Sequence, residues 1–114
     1  MVECKQNLSV IFKAVSDQTR RSILTLLVQQ GPCRVTDLAG HYQMSLNAVS
    51  KHIKVLESAG LVNRTTVGRV HLIEACLDDI DLVEHWVSEM KSFWALRLDA
   101  LQETLNGDKN DESH

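Results

Sequence analysis

Ser45-Leu46-Asn47-Ala48-Val49-Ser50-Lys51-His52-Ile53-Lys54-Val55-Leu56-Glu57-Ser58-Ala59-Gly60 is the stretch whose reading decides the fold. Serine is a strong N-cap and glycine a common helix stop, so the spacing predicts a helix between them. Val49, Ile53 and Leu56 recur at i, i+4, i+7 and must face a core. Asn47, Ser50, Lys51 and Lys54 recur at i, i+3, i+4, i+7 on a different face. That second face holds two cations, an amide and a hydroxyl, and no acid. An amide and a hydroxyl can pair with base edges in a major groove, while lysines hold phosphates. Any solvated helix face can carry lysine and serine, so the neighbours of this helix carry the argument further.

Upstream, Val35, Leu38, Ala39 and Tyr42 form the inward face of a short helix whose cap position, Arg34, is a poor residue for that role. Only Gln43-Met44-Ser45 joins it to the next helix, the spacing of a helix-turn-helix. Earlier still, Leu8, Ile11, Phe12 and Val15 make one helical stripe. Ser16-Asp17 caps a second helix with Ile23, Leu26, Leu27 and Gln30 on one face, and Gly31-Pro32 stops it, glycine for a left-handed cap and proline because it cannot continue the ladder. Downstream the period changes. Leu61–Thr66 and Arg69–Ile73 are rich in β-branched residues and flank Val67-Gly68, a hairpin pattern. A last helix begins around Asp78, Asp79 and Asp81, whose charges suit the positive end of its dipole. It is expected to run to about Leu105, with Asn106-Gly107 ending it and 106–114 a disordered polar tail. The order is four helices, a hairpin and a fifth helix: a mainly α winged helix-turn-helix, as one domain over residues 1–105.

In this arrangement Arg69, beside Gly68 at the hairpin tip, is placed to reach a DNA backbone or minor groove, with Arg64 further from the tip. His52 on the helix flank and His71 on the hairpin are weaker candidates, because a histidine on a helix flank or strand is more often structural. The candidate DNA contacts are Ser45, Leu46, Asn47, Ser50, Lys51, His52, Lys54, Arg64 and Arg69. Charge follows the same division. The chain's net −3 resolves into +2 over residues 1–33, +3 over 34–73 and −8 over 74–114. Salt screens charge beyond about 10 Å, so the positive middle matters more to a DNA footprint than the total.

A length of 114 residues with 44% hydrophobic content fits one packed domain. No apolar run is long enough to span a membrane, and Met1-Val2-Glu3-Cys4-Lys5-Gln6-Asn7 has no apolar signal core. Three cysteines without framework spacing fit a reducing compartment, so a cytoplasmic location is expected. There is no phosphate-cradling glycine loop, no nucleophile elbow and no carboxylate pair placed in a cleft, so an enzyme is not expected. No cofactor is expected either.

Phe12-Lys13-Ala14-Val15-Ser16-Asp17-Gln18-Thr19-Arg20-Arg21-Ser22-Ile23-Leu24 and Met44–Val62 resemble the ArsR/SmtB family of bacterial transcriptional repressors. The resemblance extends over roughly residues 8–105. Gln18 stands where the family usually has proline, and Leu46 where it usually has glutamine, so that base contact is lost or changed. The resemblance implies a homodimer that binds an inverted repeat in double-stranded DNA and blocks transcription, often at its own promoter. It also bears on metals. The family's Cys-x-Cys positions hold Arg34 and Thr36 here, and a second family site falls on Leu77, Asp79, Met90 and Phe93, of which only Asp79 can ligate. A metal-independent repressor is therefore expected.

The last helix supplies the partner argument. Ile80, Val83, Val87, Met90, Trp94, Leu98, Leu101 and Leu105 form one apolar seam, and Leu82, Trp86, Phe93 and Leu96 a second. A helix apolar on two sides must bury both. The expected dimer interface comprises Leu8, Ile11 and Phe12 with Val83, Trp86, Val87, Met90, Phe93, Trp94, Leu98 and Leu101. Two-fold symmetry then sets two recognition helices in successive major grooves, about 34 Å apart. Trp86, Phe93 and Trp94 could instead frame a pocket for an apolar effector, though such stripes are usually core. Asp81, His85 and Glu89 share a face as a solvated, salt-bridged trio rather than a ligand set. Two alternatives stay open: a thiol-redox or thiophilic-metal switch using two of Cys4, Cys33 and Cys76, and a winged-helix protein-interaction module without DNA.

Overall fold

The computed structural model describes residues 8–112, with side chains through Asn106. Eight elements follow in order: α1 (Leu8–Val15), α2 (Gln18–Gln30), β1 (Cys33–Arg34), α3 (Val35–Tyr42), α4 (Leu46–Ser58), β2 (Val62–Val67), β3 (Val70–Ala75) and α5 (Ile80–Glu112). They fall into two compact units, one ending at Leu82 and the other beginning at Val83.

In the first unit the caps act as their residue types dictate. Asp17 accepts the Arg20 backbone N–H at 3.0 Å to open α2, and Ser45 accepts that of Ala48 at 3.1 Å to open α4. Each satisfies a donor that has no partner within its helix. Arg34 precedes α3 without any side-chain cap bond, as its chemistry requires. The core is assembled from the inward faces of all four helices and the sheet: Ile11, Ile23, Leu27, Leu38, Val49, Ile53, Leu56, Leu61 and Ile73 are all essentially inaccessible. No polar or charged residue shares that core among the described residues, so nothing in it demands a buried partner.

The helix-turn-helix connection closes on Gln43, at φ 54°, ψ 41°. It is the one non-glycine with positive φ among the described residues. Its N–H bonds back to Gly40 at 3.3 Å, and the Met44 N–H to Ala39 at 3.1 Å, so the last carbonyls of α3 are satisfied as the chain reverses. The wing is an antiparallel ladder from Val62↔Ala75 to Val67↔Val70. Its two-residue turn is Gly68-Arg69, with Gly68 at φ 63°, the positive φ that the first position of a type II′ turn needs.

Four features depart from the sequence expectation. A third strand, β1, pairs antiparallel with β3 through Cys33↔Ile73 and Arg34↔Leu72, giving the order β1-β3-β2. The hairpin strands begin one residue later than expected and the turn moves from Val67-Gly68 to Gly68-Arg69, because Val67 and Val70 still pair. Gly31 ends α2 at φ 85°, ψ −166°, a positive-φ but extended conformation rather than the left-handed helical one. Finally, α5 continues through Asn106-Gly107 to Glu112. An interior glycine weakens a helix by about 1 kcal/mol without ending it, so residues 106–112 are helical where a disordered tail was expected. Residues 113–114 of that tail lie outside the described residues.

Candidate nucleic-acid interface

The face of α4 is built from its first turn. The Ser45 hydroxyl accepts the Ala48 N–H, which satisfies one of the free donors of the turn that follows. Leu46, Asn47, Lys51 and Lys54 are exposed, and Ser50 is half-buried. Val49, Ile53 and Leu56 lie in the core on the opposite side. The periodicity thus separates a packed face from a solvent face carrying two lysines, an amide and a hydroxyl.

His52 lies between those faces. Its side chain is only 21% exposed. Arg20 approaches His52 Nδ1 with Nη1 at 3.4 Å, donates Nε–H to the Ala14 carbonyl at 2.7 Å and Nη2–H to the Lys13 carbonyl at 3.1 Å. Guanidinium only donates, so Nδ1 accepts. The Asp17 carboxylate lies 4.0 Å from the same nitrogen. The outcome is a fastening of α4 to the α1–α2 corner, the structural role usual for a helix-flank histidine, through partners that spacing along α4 does not name.

Between the start of α3, the first two turns of α4 and the wing lies a cleft of about 490 Å³, lined by Arg34, Val35, Thr36, Leu46, Ser50, Arg64, Arg69, Val70 and His71. It unites four of the sequence candidates, Leu46, Ser50, Arg64 and Arg69, and leaves Asn47, Lys51 and Lys54 on the adjoining helix surface. Arg34 is an addition. Its place here follows from the β1–β3 pairing, which a two-residue strand gives no periodicity to announce. Two of the three arginines are internally matched: Arg34 Nε to Asp37 Oδ2 at 3.2 Å, and Arg64 Nε and Nη2 to the two Glu57 oxygens at 3.4 Å each. Arg69 has no carboxylate partner among the described residues and is exposed at the turn. His71 Nδ1 and Thr66 Oγ1, paired across the ladder, are 3.2 Å apart.

The cysteines are separately placed. Cys33 is half-buried, with its thiol directed at the Gly31 carbonyl at 3.4 Å, and burial first and Asp37 second push its pKa up. Cys76 is half-buried and points its Sγ toward Asp78 at 3.7 Å. Cys33 stands opposite Ile73, three residues from Cys76, which is about 10 Å along a strand. Two Cα atoms that far apart cannot be bridged. Cys4 lies outside the described residues.

In the second unit, Trp86, Val87, Met90, Leu98 and Leu101 are exposed, and Phe93 and Trp94 more so, at 58% and 61%. Val83 is half-buried, as are Leu8 and Phe12 of α1. Ile11, expected in the interface, has no accessible surface and serves the core instead. On the same helix His85 Nε2 and Glu89 Oε2, at i and i+4, lie 3.6 Å apart. Among the described residues no three His, Cys, Asp or Glu side chains gather as a metal site, and no helix is long and apolar enough to cross a membrane.

Comparison with known proteins places this geometry in context. Residues 17–64 match the bacterial regulatory proteins of the arsR family. The chain is 40% identical over 78 residues to the arsenical resistance operon repressor of Staphylococcus aureus, covering 66% of this chain and 74% of that protein. Two Bacillus subtilis repressors align over only 58% and 54% of their own lengths, so the chain spans little more than half of them. An ArsR-like transcriptional regulator from Rhodococcus sp. RHA1 superimposes with a TM-score of 0.81 at 28% identity, over 94% of this chain and 97% of that one. The homodimeric winged helix-turn-helix DNA-binding domain Mb0332 of Mycobacterium bovis superimposes at 0.61 and 26% identity, over 79% and 82%. These relatives are transcriptional regulators, not enzymes.

Proposed function

This chain belongs to the arsR family of bacterial regulatory proteins, and from that premise we propose that it is a homodimeric, cytoplasmic transcriptional repressor that binds an inverted-repeat operator in double-stranded DNA without a metal. The observation that carries the proposal is the acid-free face of α4, Asn47, Ser50, Lys51 and Lys54, beside a wing that ends in Arg69, which is exposed and has no carboxylate partner among the described residues. The exposed rings of α5 and the homodimeric description of the Mycobacterium neighbour support the dimer.

Metal independence rests on the side chains present. The names of relatives point to arsenic and cadmium resistance, and such soft ions select thiolates. At the start of α3 this chain offers Arg34, already paired with Asp37, and Thr36. The neighbouring Cys33 has its thiol held above the usual range by burial, which disfavours both thiolate ligation and oxidation.

Fluorescence anisotropy on duplex DNA from upstream of the gene tests the reading. Lys51→Ala is expected to weaken binding to all sequences and to reduce the salt slope by about one. Asn47→Ala and Ser50→Ala are expected to relax sequence preference. Affinity unchanged in all three variants would remove α4 from the interface. Binding that vanishes on oxidation and returns with reductant would establish the cysteine switch instead, and absence of any salt-dependent binding would favour a protein-interaction module.

A further inference from the structure

Leu46 is the one residue on the α4 side of the cleft that can neither donate nor accept a hydrogen bond. It is 50% exposed in the first turn of α4, where the Ser45 cap fixes the backbone. Beside it are Asn47 and Ser50, and across the cleft Arg64 and Arg69. Burial within the chain does not account for a leucine here, since half its surface remains in water.

We infer that Leu46 reads the C5-methyl group of a thymine in each half-site of the operator. This rests on the DNA-binding reading proposed above. The N-terminal turn of a recognition helix is the part that meets base edges. On the major-groove floor the thymine methyl is the one apolar group that projects from a base edge, where the other three bases present donors and acceptors. Leucine against guanine, cytosine or adenine strips water from a polar edge and returns no hydrogen bond. Leucine against thymine removes two apolar surfaces from water together. Discrimination therefore comes from both sides: a gain at thymine and a penalty elsewhere. Asn47 and Ser50, able to donate and accept, are left to set the neighbouring positions, and Arg69 at the wing tip to hold the backbone.

The test uses the full chain and a duplex that it selects from a randomised pool. Each thymine in turn is replaced by deoxyuridine, which removes only the methyl group, and affinity is measured by anisotropy for the parent, Leu46→Ala and Leu46→Gln. The expected result is one thymine per half-site whose loss of methyl weakens the parent about fourfold, the worth of one buried methylene-sized group. Leu46→Ala should be indifferent to that same replacement. Leu46→Gln should move the preference at that position to adenine, whose N6 and N7 a glutamine can bind together. Specific binding with no thymine that behaves so, or with equal loss in parent and Leu46→Ala, overturns the role of Leu46 and leaves the DNA reading standing. Failure to select any duplex in a salt-dependent manner overturns both.

Discussion

Asp17 accepts the Arg20 backbone N–H, and that bond is the chief cause holding its carboxyl below the ordinary carboxylate range. The sign of the consequence is definite. A group whose folded pKa lies below its unfolded value adds stability above the unfolded value, and that contribution disappears as pH falls through the folded one. Denaturant midpoints taken between neutral pH and about pH 3 should therefore fall for the parent. They should fall less for Asp17→Asn, which keeps a cap but has no proton to bind. Gln43 makes a different kind of demand. Its left-handed backbone is disfavoured for an L side chain by about 1–2 kcal/mol, whereas glycine adopts it freely but has more entropy to lose. Gln43→Gly should raise stability by up to about 1 kcal/mol in thermal or denaturant unfolding, and a fall would mean that the glutamine side chain itself contributes. Nothing in the sequence marked Gln43, because the residues usual at such a position are glycine and asparagine. The caps Asp17 and Ser45, by contrast, were legible from residue type alone.

At the level of elements, α4 was readable because two periodic faces coexist in it, and its cap and stop are chemically unambiguous. The hairpin was readable from its β-branched runs, though the turn was displaced by one residue. Strand β1 was not readable. Two residues, Cys33-Arg34, cannot display alternation, and what makes them a strand is the edge of β3. That pairing also brings Arg34 into the cleft, so one unreadable element hid one member of the site. The partners of His52 were hidden for a related reason: Arg20 and Asp17 are more than thirty residues away in the chain. The wing carries its own prediction. Gly68 has open space around its Cβ position but a φ of 63°, so Gly68→Ala is opposed by backbone strain alone. It should cost about 1–2 kcal/mol and loosen the tip that presents Arg69. The expected DNA phenotype is weaker binding with little change in sequence preference, read by anisotropy on matched and scrambled duplexes. A change confined to one base position would mean that the wing reads sequence rather than backbone.

At the scale of the whole molecule, α5 raises the question of its own stability. Phe93, Trp94 and Leu96 are each more than half exposed, and Leu98, Leu101 and Leu105 continue the apolar surface along the helix. Monomeric proteins rarely leave an apolar patch of this extent in water. The sequence pattern of two apolar seams anticipated this, while it misassigned Ile11, since a single helical stripe on α1 does not say which of its residues face the core and which face a partner. If a second copy covers α5, a charge placed in the seam is buried unpaired on association. Trp94→Glu and Leu98→Glu should each convert the dimer to a monomer in sedimentation velocity, with the melting of the first unit unchanged. The functional consequence follows from linkage. Two half-sites bound by one dimer are bound with an avidity that two separate monomers lose, a factor of about a hundred or more. Each variant should therefore lose operator affinity by that order while its affinity for an isolated half-site stays at the parent's level. Loss of both affinities together would place Trp94 or Leu98 in the fold of the DNA-binding unit itself, and full retention of operator affinity would mean that the second recognition helix is not delivered by α5.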